Sequence, residues 1–241
     1  LRQIKIIVVT LLAGVAIYTG YAFFNHGHQD ESQEKQQQSY VTEEAVVDLE
    51  FIDHQASYAE IASRKSSVQV HNPDFRGFGS GTYFVQKGRH FILTAAHVVD
   101  DKEHMMISGR DEIVPGRVVY TNPATDIAVI EVDKMNTRDP VRLRVNGNPH
   151  VGDAVAYTGF PNGTDLLTIT GRISGYRGSW VVIQSYTWMG ASGSGVFDSR
   201  GRLVGVVSMV EIGHYRAPQV IEDVGYVAKI SEADVRGIRG L

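Results

Sequence analysis

The sequence predicts an all-β fold made of two consecutive β units, and three observations carry that expectation. First, past Ser66 the chain is a succession of short β-branched and aromatic runs: SVQV, GTYFV, FILTA, MMISG, IVPGRVVY, DIAVIEV, AVAYTGF, LLTITGRIS, WVVIQSY, GVFDS, LVGVVSMV and VGYVAKI. Second, the runs are separated by turn sequences such as PDFRG, PNG, YRG and DSRG rather than by helical segments. Strands at this spacing read as a sandwich or barrel, not as alternating strand and helix. Third, the segment NGNP at residues 146–149 falls midway through the β region and is the natural joint between two units, 66–147 and 148–230. Residues 231–241 are expected to be a C-terminal tail.

The part before the β region divides into three. Arg2 and Lys5 precede the run Ile6–Phe24, 19 residues without a charge and long enough to cross a bilayer as a helix. Tyr18, Tyr21, Phe23 and Phe24 crowd its far end, as interfacial aromatics do. The expectation is a membrane anchor over residues 1–24, with the remainder outside the cytoplasm. A cleaved signal peptide and a buried helix are the alternatives, but the span lacks a small-x-small cleavage site and exceeds a usual signal core. Residues 25–39 are polar and Gln-rich and read as a linker. From Thr42 to about Lys65, apolar residues recur at helical spacing: Val46, Leu49 and Ile52, then Ala56, Ala59 and Ala62. This predicts an amphipathic helix that docks on the β region or on a second chain, or even covers a cleft there.

The 241 residues carry a formal charge of -4, with no run of Lys or Arg, so a nucleic-acid partner is not expected. The absence of cysteine excludes disulfides, a Cys nucleophile and Cys-ligated zinc. His71, His90, His104, His150 and His214 are scattered without ligand spacing, and His26 and His28 read as linker residues. No metal and no cofactor is called for.

Three short motifs carry candidate chemistry. His97, in Thr94-Ala95-Ala96-His97-Val98-Val99, follows an apolar strand, and the two small residues let the chain turn and leave the imidazole at the strand end. Asp126, in Asn122-Pro123-Ala124-Thr125-Asp126-Ile127, sets a carboxylate just before a buried strand. Such an acid costs desolvation energy unless hydrogen-bonded, and a histidine N–H would satisfy it while leaving the other ring nitrogen free as a base. A turn-capping Asp after Pro123 is the plain alternative. Ser192, in G190-A191-S192-G193-S194-G195, is bracketed by glycines that allow a sharp turn, in which the N–H groups of Gly190 and Ser192 can converge on one oxygen as an oxyanion hole. Each motif is weak alone. Together, in the order His, Asp, Ser, they match one of the known chain orders of a nucleophilic triad.

On LTAAHVV, TDIAVIEV and GASGSGVFD, together with the strand LVGVVSMV that follows, the chain resembles the chymotrypsin-fold (trypsin-like) serine proteases. The spacings of 29 residues from His97 to Asp126 and 66 from Asp126 to Ser192 suit the compact bacterial or viral branch, HtrA-like or glutamyl-endopeptidase-like. The resemblance covers roughly residues 66–230. It implies two antiparallel six-stranded β-barrels with the site in the cleft between them. It also implies Ser192, not Ser194, as nucleophile, with His97 as base and Asp126 as its orienting partner. Ser185, Tyr186 and Thr187 would line the primary specificity pocket. Ser208, Met209 and Val210 would pair with the substrate as an added strand, and the pocket is expected to take small or medium apolar residues at the cut. Protein or peptide substrates are implied, and a homo-oligomer is possible by family. Three departures inform the reading. Ala191 stands where digestive enzymes have an Asp that pairs with a new N-terminus, so activation by clipping is not expected. No PDZ-like segment follows. Val207 stands near the place of a histidine that receives acidic side chains in glutamyl endopeptidases. A protease fold that no longer cuts, serving assembly, is the rival reading. A lipase or esterase would run Ser before Asp before His.

Overall fold

The computed structural model describes residues 56–215 and 217–241. The anchor expected over 1–24, the linker and the helix over 42–55 lie outside the described residues. Among those described, no helix is long and apolar enough to cross a membrane.

Among the described residues twelve strands form, one for each apolar run of the β region. They are β1 (Ser67–His71), β2 (Phe78–Gln86), β3 (Arg89–Thr94), β4 (His104–Ser108), β5 (Ile113–Asn122), β6 (Ile127–Val132), β7 (Ala154–Gly159), β8 (Leu167–Arg177), β9 (Trp180–Gln184), β10 (Gly195–Asp198), β11 (Leu203–Tyr215) and β12 (Ala217–Lys229). Two closed antiparallel barrels result, ordered β1-β2-β3-β6-β5-β4 and β10-β11-β12-β9-β8-β7. Counted from its own first strand, the second barrel has the same order as the first, so one topology is used twice. Closure removes the free strand edges that an open sheet of this size would expose.

Alternation along the strands decides what each face buries. In β3, Ile92 points into the first barrel with Val68, Tyr83 and Ile130, while Phe91 and Leu93 point the other way. That opposite face joins Ile127 and Val129 to Phe197, Leu203 and Val206 of the second barrel in one shared core. Burying both faces of β3 and β6 fixes the barrels against each other, and with them the strand ends that carry the site.

Among the described residues, three α-helices flank the barrels. The first, α1 (Tyr58–Ser66), is capped by Ser57 and Glu60 as a reciprocal capping box. Its buried face is Ala59, Ser63 and Ser66, not the Ala56, Ala59, Ala62 stripe expected from hydrophobic periodicity. The serines can be buried because their hydroxyls are satisfied: Ser63 pairs with Thr158 Oγ1 at 2.8 Å and Ser66 donates to Ala62 O at 2.7 Å. Arg64 donates to Leu166 O and Thr168 Oγ1. The described helix is therefore bonded to β7, β8 and the turn between them. A single turn, α2 (Ala96–Val99), follows β3. Residues 231–241, expected to be a tail, instead form α3 (Glu232–Gly240), opened by a second capping box between Ser231 and Asp234.

Candidate active site

His97 sits in the first turn of α2, where helical N–H groups have no helical partner. Asp126 supplies the partners. Its carbonyl accepts from Ala96 N at 3.1 Å, and its Oδ1 accepts from His97 N at 2.9 Å. The same carboxylate accepts the imidazole Nδ1, 2.9 Å from Oδ2. Backbone and ring of His97 are thus held by one residue, which fixes Nδ1 as the donor and turns Nε2 outward. Asp126 itself adopts φ 53°, a left-handed conformation that Asp tolerates better than most residues.

A fourth group completes this arrangement. Ser208, on β11, donates its hydroxyl to Asp126 Oδ2. Burial alone would push the Asp126 carboxyl up, but the His97 ring, the Ser208 hydroxyl and the His97 backbone N–H hold it below the usual aspartate range. The carboxylate therefore stays ionised to lower pH than a free aspartate.

Ser192 lies on the turn between β9 and β10. Gly190 and Gly193 adopt φ 95° and 92°, and a side chain at either would collide: a Cβ would lie 2.5 Å from Phe160 O or 2.1 Å from Ser80 O. The carbonyls of this turn are tied back. Trp188 O accepts Ala191 N, Met189 O accepts Asn162 N, Gly190 O accepts the Ser80 hydroxyl, and Ser192 O accepts Ser80 N. Gly193 N donates to Val207 O at 2.7 Å. The N–H groups of Gly190 and Ser192 have no acceptor among the described residues. The Ser192 hydroxyl donates to Ser208 O at 3.4 Å and not to His97. Ser194, two residues on, is fully buried with its hydroxyl unpartnered.

The residues expected to line the cleft divide. Thr187 is buried against Gly225, where a Cβ would lie 2.5 Å from its Cγ2. Ser185 is buried too, and its hydroxyl is committed to Thr170 O. Tyr186 is 45% exposed, and its carbonyl accepts the hydroxyl of buried Tyr157. Burial, and then the neighbouring Tyr186, push the Tyr157 phenol up, which keeps it a donor. Ser208, Met209 and Val210 lie on β11 beside Ser192. Sequence reasoning gave Ser208 only a backbone part, because the contact of its side chain with Asp126 crosses between barrels. No local pattern signals it.

A family model described as "Trypsin-like peptidase domain" matches residues 79–206. The "Serine endoprotease DegS" of Salmonella typhimurium is 25% identical over 178 residues, covering 68% of this chain and 49% of that protein. The "Probable periplasmic serine endoprotease DegP-like" of Bartonella henselae is 28% identical over 153 residues, covering 60% of this chain and 30% of that protein. Among solved structures, the serine endoprotease from Yersinia pestis aligns with a TM-score of 0.61 at 25% identity, over 74% of this chain and 66% of that one. The chain spans half or less of the length of these curated relatives.

Proposed function

The chain belongs to the trypsin-like peptidase family, with the chymotrypsin-type pair of barrels, and on that premise we propose that it is a serine endopeptidase with His97, Asp126 and Ser192 as its triad. The observation that carries the reading is the partly buried, ionised Asp126 holding His97 Nδ1 beside a turn whose Gly190 and Ser192 N–H groups have no acceptor among the described residues.

A substrate strand pairs with Ser208–Val210, and the N–H of the residue before the scissile bond takes the Ser208 carbonyl. That displaces the Ser192 hydroxyl, which turns to His97 Nε2. Oγ attacks the substrate carbonyl as Nε2 takes its proton. The oxyanion is met by the Gly190 and Ser192 N–H groups, and one such donor contributes about 3 kcal/mol of barrier reduction. Asp126 stabilises the imidazolium. Nε2 then protonates the departing amine, and water repeats the sequence on the acyl-enzyme. Thr187 and Tyr186 shape the primary pocket, which suits small or medium apolar side chains. The barrels act as units 66–147 and 148–230, and the apolar segment 6–24 tethers them outside the cytoplasm.

The position of the Ser192 hydroxyl on Ser208 O favours one second reading, a protease fold that is silent as it stands. A fluorophosphonate probe on the full chain in detergent separates the two. Labelling lost in Ser192→Ala and His97→Ala but kept in Ser194→Ala establishes the endopeptidase. No labelling of the unaltered chain establishes the silent form.

A further inference from the structure

On the side of Ser192 away from β11, the start of β2 carries an aromatic cluster that the core does not use. Phe78 is 41% exposed and Phe75 51% exposed. Their ring centroids lie 6.3 Å and 5.0 Å from that of His71. Burial holds the His71 imidazole below its ordinary range, so at neutral pH it is an uncharged neighbour for both rings. The Phe78 ring rests on the oxyanion turn: a Cβ built at Gly190 would lie 2.8 Å from it, and one at Gly163 3.2 Å.

Phe75 is held at φ 56°. For a bulky side chain this left-handed conformation is an outlier, and it persists only where surrounding bonds over-determine it. Here Phe75 N donates to Asn72 O at 2.9 Å and Asn72 N to Gly77 O at 3.0 Å. Glycine would hold the same turn without strain. The turn therefore keeps an aromatic ring at a steric cost and leaves half of it in water, so burial within the fold does not offset that cost.

Geometry gives the ring an occupant. A substrate whose N-terminal half lies along Ser208–Val210 crosses Ser192 and leaves over the start of β2, where Ser80 N is bonded to Ser192 O at 2.7 Å. We propose that Phe75, His71 and Phe78 form an apolar platform that receives an aromatic or large aliphatic side chain at the second residue after the scissile bond. The proposal rests on the serine endopeptidase reading and adds to it a preference on the leaving-group side.

Partitioning of the acyl-enzyme tests it. The full chain in detergent is acylated with a peptide thiobenzyl ester, which has no residue beyond the scissile bond. Dipeptide amides Ala-Phe-NH2, Ala-Leu-NH2, Ala-Asp-NH2 and Ala-Gly-NH2 then compete with water. In capture, the Ser192 ester bond breaks, the amine nitrogen forms the new amide bond, and its proton returns through His97 to Ser192 Oγ. The ratio of captured to hydrolysed product is internal to each variant, so a general loss of activity does not move it. The expected result is about tenfold better capture by the Phe and Leu amides than by the Gly amide. Phe75→Ala and Phe75→Gly should bring the ratios together, the latter with an unfolding temperature no lower than the parent's. Equal capture by all four amides, or a preference that survives both variants, overturns the platform alone. No ester hydrolysis by the unaltered chain overturns the endopeptidase reading and the platform with it.

Discussion

Ser208 Oγ and His97 Nδ1 donate to the same oxygen, Oδ2 of Asp126, so a strand of the second barrel holds the carboxylate that orients the histidine of the first. Ser208→Ala removes one of the bonds that keep the Asp126 pKa low. With that bond gone the Asp126 pKa rises, so the carboxylate is neutralised at a higher pH than in the parent. A hydrogen bond to a charged group is worth about 1.5–3 kcal/mol, so kcat should fall on the order of tenfold or more. An NMR titration of the Asp126 carboxyl checks the first and steady-state kinetics the second, and an unmoved titration with unchanged kcat would separate Ser208 from the site.

Ser192 and Ser194 should behave in opposite ways. Ser192→Ala should lower turnover on the order of 10⁴-fold or more. Ser194→Ala should keep activity and raise the urea midpoint, because it removes a buried hydroxyl without a partner. Such a group costs about 1–3 kcal/mol. A lowered midpoint would mean that the hydroxyl is bonded after all.

At Gly190 the prediction is one of shape. A methyl group there meets Phe160 O at 2.5 Å, in a backbone conformation that L-residues disfavour. Gly190→Ala should displace the turn and forfeit a donor, lowering kcat by roughly 10²–10³-fold. Circular dichroism should show both barrels still folded. Turnover near the parent's would remove Gly190 from the oxyanion site.

Asp234 predicts an acid-labile fold. It is fully buried, and its carboxylate accepts from Ser231, Tyr120, Asn122 and Thr125. Burial pushes its pKa up, but the bonds from Ser231, Tyr120 and Asn122 more than reverse this and leave it lowered. A carboxylate depressed in the folded state contributes stability that is present above its unfolded pKa, about 3.9, and is lost as pH falls through the folded value. Asp234→Asn should destabilise the fold by about 1–3 kcal/mol at neutral pH. It should also flatten the decline of the urea midpoint below about pH 4. An unaltered slope would mean that other carboxylates set it.

The strands were readable in the sequence because each is a run whose side chains must be buried, and the turns between them carry Gly, Pro, Asn or Asp for steric reasons. The outer halves of β11 and β12 were not. Residues 211–215 and 217–221 include Glu, Gly, His and Pro, and their pairing follows from the hairpin rather than from an apolar pattern. His97, Asp126 and Ser192 could be put forward as a candidate triad because each sits in a short motif with its own local constraint. Ser208 and Asp234 act on residues 82 and 109 positions away, Asp126 and Thr125, and single-strand periodicity contains no term for such a contact. The capping box at Ser231 was there to be read and would have replaced the expected tail by a helix. Serine on the buried face of α1 defeated hydrophobic periodicity, because a small hydroxyl that bonds within its own helix is as easily buried as alanine.

The bond from Thr125 to Asp234 ties α3 to the residue that precedes Asp126 in the chain. The helix grips the turn at Tyr120, Asn122 and Thr125 through a single oxygen atom, Asp234 Oδ1. One buried carboxylate oxygen thus joins the C-terminal helix to the strand end and loop that lead into Asp126, more than a hundred residues away in the chain.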